Sequence, residues 1–402
     1  MRIIVLDEEF PYPLNTGKRI RSFNLLSRLA KNNELHYLAY GRDSDSNFIA
    51  LARNNMNPIA VKNQVPKKSG LLFYLRLFNN LFSSESYIVD SHYSDLYQNR
   101  LDELIEKLKP GIVMAEWTPY ASFMKNLKNC KRLIVAHNIE STIWQRYYEH
   151  ETNSIKKLYI FKQWKKLEKF EKDVFRNSDG ITAVSQEEAD EIRKISDNKN
   201  VALIDNGVDL KYFNAHESHS GGSNSTKLVF TGSMDWRPNQ DAAVYFVREI
   251  FPKLKALIPE ISATFVGRNP TDEILSLQDV NGITITGTVD DVRPYIEEAS
   301  IYIVPIRIGG GSRLKILEAL AMKKAVVSTS VGAEGLKTKD KKHLLVADSA
   351  VEFVAEIERL LKNPQLAKEL GDNGRELVEQ SYGWDALALK LDNFLQQVVN
   401  NK

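Results

Sequence analysis

The stretch Val304-Pro305-Ile306-Arg307-Ile308-Gly309-Gly310-Gly311-Ser312-Arg313-Leu314-Lys315-Ile316-Leu317-Glu318-Ala319-Leu320-Ala321 leaves an apolar strand, passes three glycines and enters an amphipathic helix. Glycine lets the backbone approach a ligand closely and adopt positive φ. A glycine-rich turn feeding a helix start offers unpaired N–H groups and the positive end of the helix dipole, which suits a phosphate. Arg313 and Lys315 add cations where they oppose that dipole, so an anion would compensate them. The alternative is a plain strand–helix turn with solvated basic side chains. Glu318, set between the pairs Ile316/Leu317 and Ala319/Leu320, either faces solvent or meets a partner such as paired ribose hydroxyls, because a carboxylate accepts two hydrogen bonds.

Working outward, the apolar runs Leu228–Phe230, Ala263–Val266, Ile283–Ile285, Ile301–Val304 and Val326–Ser328 alternate with helical segments near 240–257, 271–278, 291–299 and 312–323. Continuous apolar runs suit strands buried on both faces of a parallel sheet. The tail, 350–398, has helical periodicity. The first half repeats the pattern with Ile3–Leu6, Leu35–Tyr40, Ile112–Ala115, Leu133–Ala136, Ile181–Val184 and Val201–Ile204. Between the halves, HESHSGGSNSTK (216–227) holds no aliphatic or aromatic residue and suits a linker. The expected architecture is α/β: two Rossmann-like parallel-sheet domains facing across a cleft, 1–206 and 227–380, joined by 207–226, with 381–402 returning to the first domain.

Length and composition agree. The chain has 402 residues, 43% apolar and 26% charged, enough for two cores and too apolar for a disordered chain. One cysteine, Cys130, excludes an internal disulfide and any Cys-based metal site. The net charge of +2 announces no nucleic-acid partner. The first two hundred residues are the basic half. No apolar run reaches the length of a membrane span, and MRIIVLDEEF turns acidic too soon for a signal peptide, so a cytoplasmic protein is expected.

Two further places sit at strand ends. Pro11-Tyr12-Pro13-Leu14-Asn15-Thr16-Gly17-Lys18-Arg19 links the first strand to a helix, and Val135-Ala136-His137 puts a histidine just past a strand. Neither G-x-G-x-x-G nor a P-loop occurs, nor H-E-x-x-H, G-x-S-x-G or paired cysteine ligands. Asp43-Ser44-Asp45 reads as a polar loop and not as a metal site.

Taken together, these residues resemble the retaining family-four glycosyltransferases (glycosyl transferases group 1) of the GT-B type. The resemblance is strongest from Leu228 to Trp384. It also rests on the Gly17 loop, His137, Ile181-Thr182-Ala183-Val184-Ser185, Ile204-Asp205-Asn206-Gly207-Val208-Asp209 and Ser381-Tyr382-Gly383-Trp384-Asp385. It implies transfer of a sugar from a nucleotide-diphosphate donor, with retention and without a metal or cofactor, to a glycan or lipid-linked acceptor in bacterial cell-surface polysaccharide or glycolipid synthesis. Residues implied at the donor are Gly17, Gly232, Gly309, Gly310, Gly311, Ser312, Arg313, Lys315 and Glu318, with Glu318 on the ribose. His137 matches a catalytic histidine near the transferred sugar.

The sequence departs from the family at four places, one being Arg313 where the family usually has a glycine. Gly310 stands where the family often has a glutamate. Ser233 and Pro238 stand where it usually has phosphate-binding cations, a loss that Arg313 and Lys315 could offset. A non-catalytic GT-B subunit or a nucleotide-sugar epimerase are the rival readings. Two basic segments, 62–82 and 155–176, could contact a membrane surface or present a core-facing stripe with a solvated basic face.

Overall fold

The computed structural model describes residues 1–62, 69–214, 226–308 and 314–401. The chain divides into two compact units, Met1–Asp205 with Leu387–Lys402, and Asn206–Ala386. Each is built on its own wholly parallel sheet.

In the first unit the strands are β1 (Arg2–Glu9), β2 (Glu34–Tyr40), β3 (Pro58–Val61), β4 (Ile112–Ala115), β5 (Lys131–Ala136), β6 (Gly180–Ala183) and β7 (Val201–Leu203). They lie in the order 3-2-1-4-5-6-7. Helices on both faces bury the strands, and this explains the unbroken apolar runs: all four residues of β4 are fully buried. The last helix, Trp384–Asn400, begins in the second unit, and its residues from Leu387 onward belong to the first. Gly180 in β6 admits it. A side chain there would sit 2.7 Å from a methyl of Val398 and 3.2 Å from the Phe394 ring.

The second sheet holds β8 (Lys227–Thr231), β9 (Ser262–Val266), β10 (Ile283–Ile285), β11 (Ile301–Val304), β12 (Ala325–Ser328) and β13 (Leu345–Val346), ordered 10-9-8-11-12-13. Both sheets therefore reverse direction beside their own first strand. In open α/β sheets, that reversal is where ligands bind, beyond the carboxyl ends of the strands. Among the described residues, no helix is long and apolar enough to cross a membrane.

Candidate functional site

In the second unit the reversal lies between β8 and β11. The chain leaves β8 at Gly232, whose N–H donates to the Val266 carbonyl at the end of β9, at 2.9 Å. Pro238 opens the helix Arg237–Tyr245, where its missing N–H costs nothing. One turn in, Asn239 donates through Nδ2 to the Ser233 carbonyl at 2.8 Å. Its Oδ1 accepts from Lys315 Nζ at 2.7 Å. Lys315 belongs to the helix Leu314–Ala321, which follows β11, and its ammonium lies 3.9 Å from the Phe230 ring centroid. A side chain at Gly232 would come within 2.8 Å of that ammonium. Gly232, Asn239, Phe230 and Lys315 thus form one assembly around a single cation.

Glu318 stands one turn beyond Lys315. It is half-buried, and its carboxylate has no hydrogen-bond partner among the described residues. Burial pushes its pKa up to about 7, against the opposing pull of Lys315. A carboxylate so placed can accept two hydroxyl hydrogens from a diol. Gly309, Gly310, Gly311, Ser312 and Arg313 lie outside the described residues.

A cation that the sequence did not reveal lies beside Ser233. Arg268, from the loop after β9, donates through Nε to Ser233 Oγ at 2.9 Å. Ser233 Oγ in turn donates to Asp235 at 2.6 Å. Arg307 is committed elsewhere, to a two-point ion pair with Asp241 at 2.6 and 3.1 Å.

In the first unit the reversal lies between β1 and β4. Gly17 opens the helix Gly17–Leu29, capped by Thr16. The next residue, Lys18, reaches back to Asp7 at 2.6 Å and Glu8 at 3.2 Å near the end of β1. Asp7 is almost fully buried and also accepts from the Tyr37 hydroxyl at 2.7 Å. Burial raises the Asp7 pKa despite the charge of Lys18. Burial works against the Lys18 ammonium too, but the charges of Asp7 and Glu8 prevail and hold its pKa above the usual value.

His137, just past β5, has Nε2 3.3 Å from Glu116 Oε1, just past β4. Ser22 donates to the same oxygen at 2.6 Å. Burial alone would raise the pKa of Glu116. His137, Ser22 and the Arg21 charge outweigh burial and hold it below the usual carboxylate value. Arg21 is 2% exposed and donates to the carbonyls of Ile204 and Asp205, at 2.7 and 2.6 Å.

Asp7 and Glu116 went unrecognised in the sequence, and Lys18 and Arg21 stood out only as basic residues of the loop and helix after the first strand. The available signal was their position, as charged residues at or against strand ends flanking the sheet reversal. Among the described residues, no group of three or more His, Cys, Asp or Glu is arranged to hold a metal ion. Asp45 instead accepts from the Arg42 N–H at 3.0 Å, a local turn before the helix Ser46–Arg53.

Comparison with known proteins gives the same division of the chain. A model of Glycosyltransferase Family 4 matches residues 23–212, and one described as Glycosyl transferases group 1 matches residues 225–363. An uncharacterized 44.6 kDa protein in the cps region of Klebsiella pneumoniae is 24% identical over 394 residues, covering 95% of this chain and 96% of that protein. The phosphatidyl-myo-inositol mannosyltransferase of Mycolicibacterium smegmatis is 28% identical, over 47% of this chain and 50% of its own. Among solved structures, Anabaena HepE in complex with UDP-glucose is similar with a TM-score of 0.67 at 12% identity, covering 99% of this chain and all of that one. The two family matches fall one on each sheet-bearing unit and together span most of the chain, which belongs to the group 1, family 4 glycosyltransferases with the GT-B fold.

Proposed function

We propose that the chain moves a sugar from a nucleoside-diphosphate donor to a glycan or lipid-linked acceptor, with retention of configuration, in the making of a cell-surface polysaccharide or glycolipid. The observation that carries the reading is the Lys315 ammonium, held at the end of β8 by Asn239 beside the bare α-carbon of Gly232. Breaking the bond between sugar and diphosphate builds negative charge on the leaving phosphate. A fixed cation stabilises that charge without having to reorganise. Arg268 stands beside Ser233 as a second cation, and Glu318 would take the ribose hydroxyls. Gly232 would leave the diphosphate room beside the Lys315 ammonium, and the family resemblance assigns Gly309, Gly310, Gly311, Ser312 and Arg313 to the same ligand. The family resemblance assigns Gly17 to the donor phosphates and His137 to the transferred sugar.

HepE, crystallised with UDP-glucose, supports a nucleotide sugar as donor. The relative named for phosphatidyl-myo-inositol supports a lipid among the acceptors. Retention follows from the family resemblance; it fits a path in which the leaving phosphate helps to deprotonate the acceptor. None of these steps routes through a metal ion.

The test is nucleoside-diphosphate release from UDP-, GDP- and ADP-sugars by purified protein, with and without a lipid-linked acceptor, with the anomeric configuration of the product read by NMR. Release that depends on acceptor and yields a retained product is expected. Isomerised donor without release would establish the epimerase instead. Neither release nor any donor-induced rise in melting temperature would establish the non-catalytic subunit.

A further inference from the structure

The helix Leu71–Asn80 is apolar on two faces and buries only one. Inward, Phe73 meets the Tyr87 ring at 5.9 Å, and Asn80 accepts from Gln163 at 2.9 Å and Lys166 at 2.5 Å, both on the helix Ser154–Asn177. Outward, Leu71, Leu75, Phe78 and Phe82 follow one another at helical spacing and are 76%, 48%, 58% and 80% exposed. Leu72 and Tyr74, on their flanks, are 69% and 66% exposed. Beside them, the first turns of Ser154–Asn177 expose Ile155 and Leu158, whereas Leu167, Phe170 and Phe175 further along are buried. The core-facing stripe expected over 155–176 therefore holds only for its second half.

The rim of this face is basic. Lys156, Lys162 and Lys169 are exposed along Ser154–Asn177. Arg76 lies on the helix Leu71–Asn80 itself. Contiguous apolar surface of this kind is rare on a protein that stays alone in water. An apolar stripe edged by lysine and arginine matches an anionic bilayer, with the apolar side chains entering below the headgroups and the cations meeting lipid phosphates. Two copies of the same basic face would repel one another.

We propose that this face docks the protein on an anionic lipid surface. The proposal lies wholly within the first unit and needs no donor, so it stands or falls apart from the transfer reading. If both hold, a lipid-linked acceptor would meet the enzyme at the surface where that acceptor resides.

The test is co-sedimentation of the full chain with vesicles of phosphatidylglycerol and phosphatidylcholine in equal parts, and with vesicles of phosphatidylcholine alone. Binding is expected only to the former, weakening as salt rises from about 0.1 M to about 1 M. The double variant L75E/F78E should reduce binding by at least about tenfold. K156E/K162E should reduce it at low salt and lose most of the salt dependence. Both pairs are exposed, so thermal unfolding and the donor-induced shift serve as folding controls. Equal sedimentation with and without phosphatidylglycerol would overturn the proposal. So would a dimer by light scattering that L75E/F78E converts to monomer, which would assign the face to a second copy.

Discussion

Lys315 Nζ donates to Asn239 Oδ1 at 2.7 Å while lying 3.9 Å from the centroid of the Phe230 ring, so the ammonium is fixed before any ligand arrives. A pre-placed cation loses little entropy on meeting a phosphate. Replacing it with methionine keeps the apolar stem over the ring and removes the charge. Lys315→Met should weaken binding of a nucleoside diphosphate by about ten- to a hundredfold, the worth of one or two charge-assisted hydrogen bonds. Folding stability should fall by only about 1 kcal/mol, from the lost partner of Asn239. Calorimetric titration and urea unfolding check the two halves separately.

Gly232→Ala tests the same assembly from the other side. The added carbon would sit 2.7 Å from the Asn239 amide nitrogen and 2.8 Å from the Lys315 ammonium. Both are ends of side chains that can move, and a φ of +158° at Gly232 adds backbone strain of about 1–3 kcal/mol, so the fold should survive somewhat weakened and the Lys315–Asn239 pair should not. The expected result is a melting temperature a few degrees below the parent's and a donor-induced shift largely lost. A shift as large as the parent's would separate Gly232 from the site.

These contacts were legible to different degrees. The strands of both sheets stood out because burial on two faces demands unbroken apolar runs, as in Ile112–Ala115 and Ile301–Val304. The edge strand Pro58–Val61 and the two-residue β13 did not, because a short strand carries too few residues to set a period. Glu318 and His137 could be picked out by motif. Glu116 and Asp7 could not, because a carboxylate after an apolar run reads as the strand's exit into water. Their burial is created by Ser22, Lys18, Tyr37 and His137, all distant in sequence. Arg268 was hidden for the same reason: it comes from the loop after β9, next to the strand that carries the motif.

Glu318 supplies a pH signature. Its pKa in the folded chain is pushed up to about 7 from the ordinary 4.5. Between those values the folded protein holds a proton that the unfolded chain has released, so this group's contribution to stability falls as pH rises through the window and is flat above it. If the ionised form accepts the ribose hydroxyls, donor binding must expel that proton. Affinity should then rise by up to about tenfold per pH unit below about 7 and level off above it. Glu171 and Glu188 are also raised to about 7 by burial, so the informative quantity is the difference between parent and Glu318→Gln. In that variant donor binding should be weak and should lack the pH-dependent part.

Lys18 and Asp7 form a pair whose value lies mostly in what happens when one is removed. Asp7 is 1% exposed, and Lys18 is its cationic partner at 2.6 Å. Lys18→Met leaves a carboxylate in the core with the Tyr37 hydroxyl, the Glu8 N–H and no countercharge, which should cost about 3–5 kcal/mol in urea unfolding near neutral pH. Protonating Asp7 removes that charge, so the deficit should shrink on acidification. Asp7→Asn in the Lys18→Met background should recover part of the loss. A pair that contributed only surface attraction would show neither the deficit nor the recovery.

Glu116 lies 3.3 Å from His137 Nε2, and it can be tested as a positioning residue. Its Oε1 is shared by the Ser22 hydroxyl at 2.6 Å and His137 Nε2 at 3.3 Å, and its pKa is held below the usual carboxylate value, so it is ionised throughout the neutral range. A carboxylate beside an imidazole can favour one orientation of the ring. Glu116→Gln keeps the volume and the contact with Ser22 but withdraws the charge. If His137 acts near the transferred sugar, kcat should fall by about ten- to a hundredfold while KM for the donor stays put, since Lys315 and Glu318 are untouched. The decisive comparison is the double variant. Once His137 is alanine, Glu116→Gln should cost nothing further in kcat, because it acts only through the ring. Full additivity of the two losses would show that Glu116 serves the reaction by another route, and an unchanged kcat in both single variants would remove this pair from the chemistry.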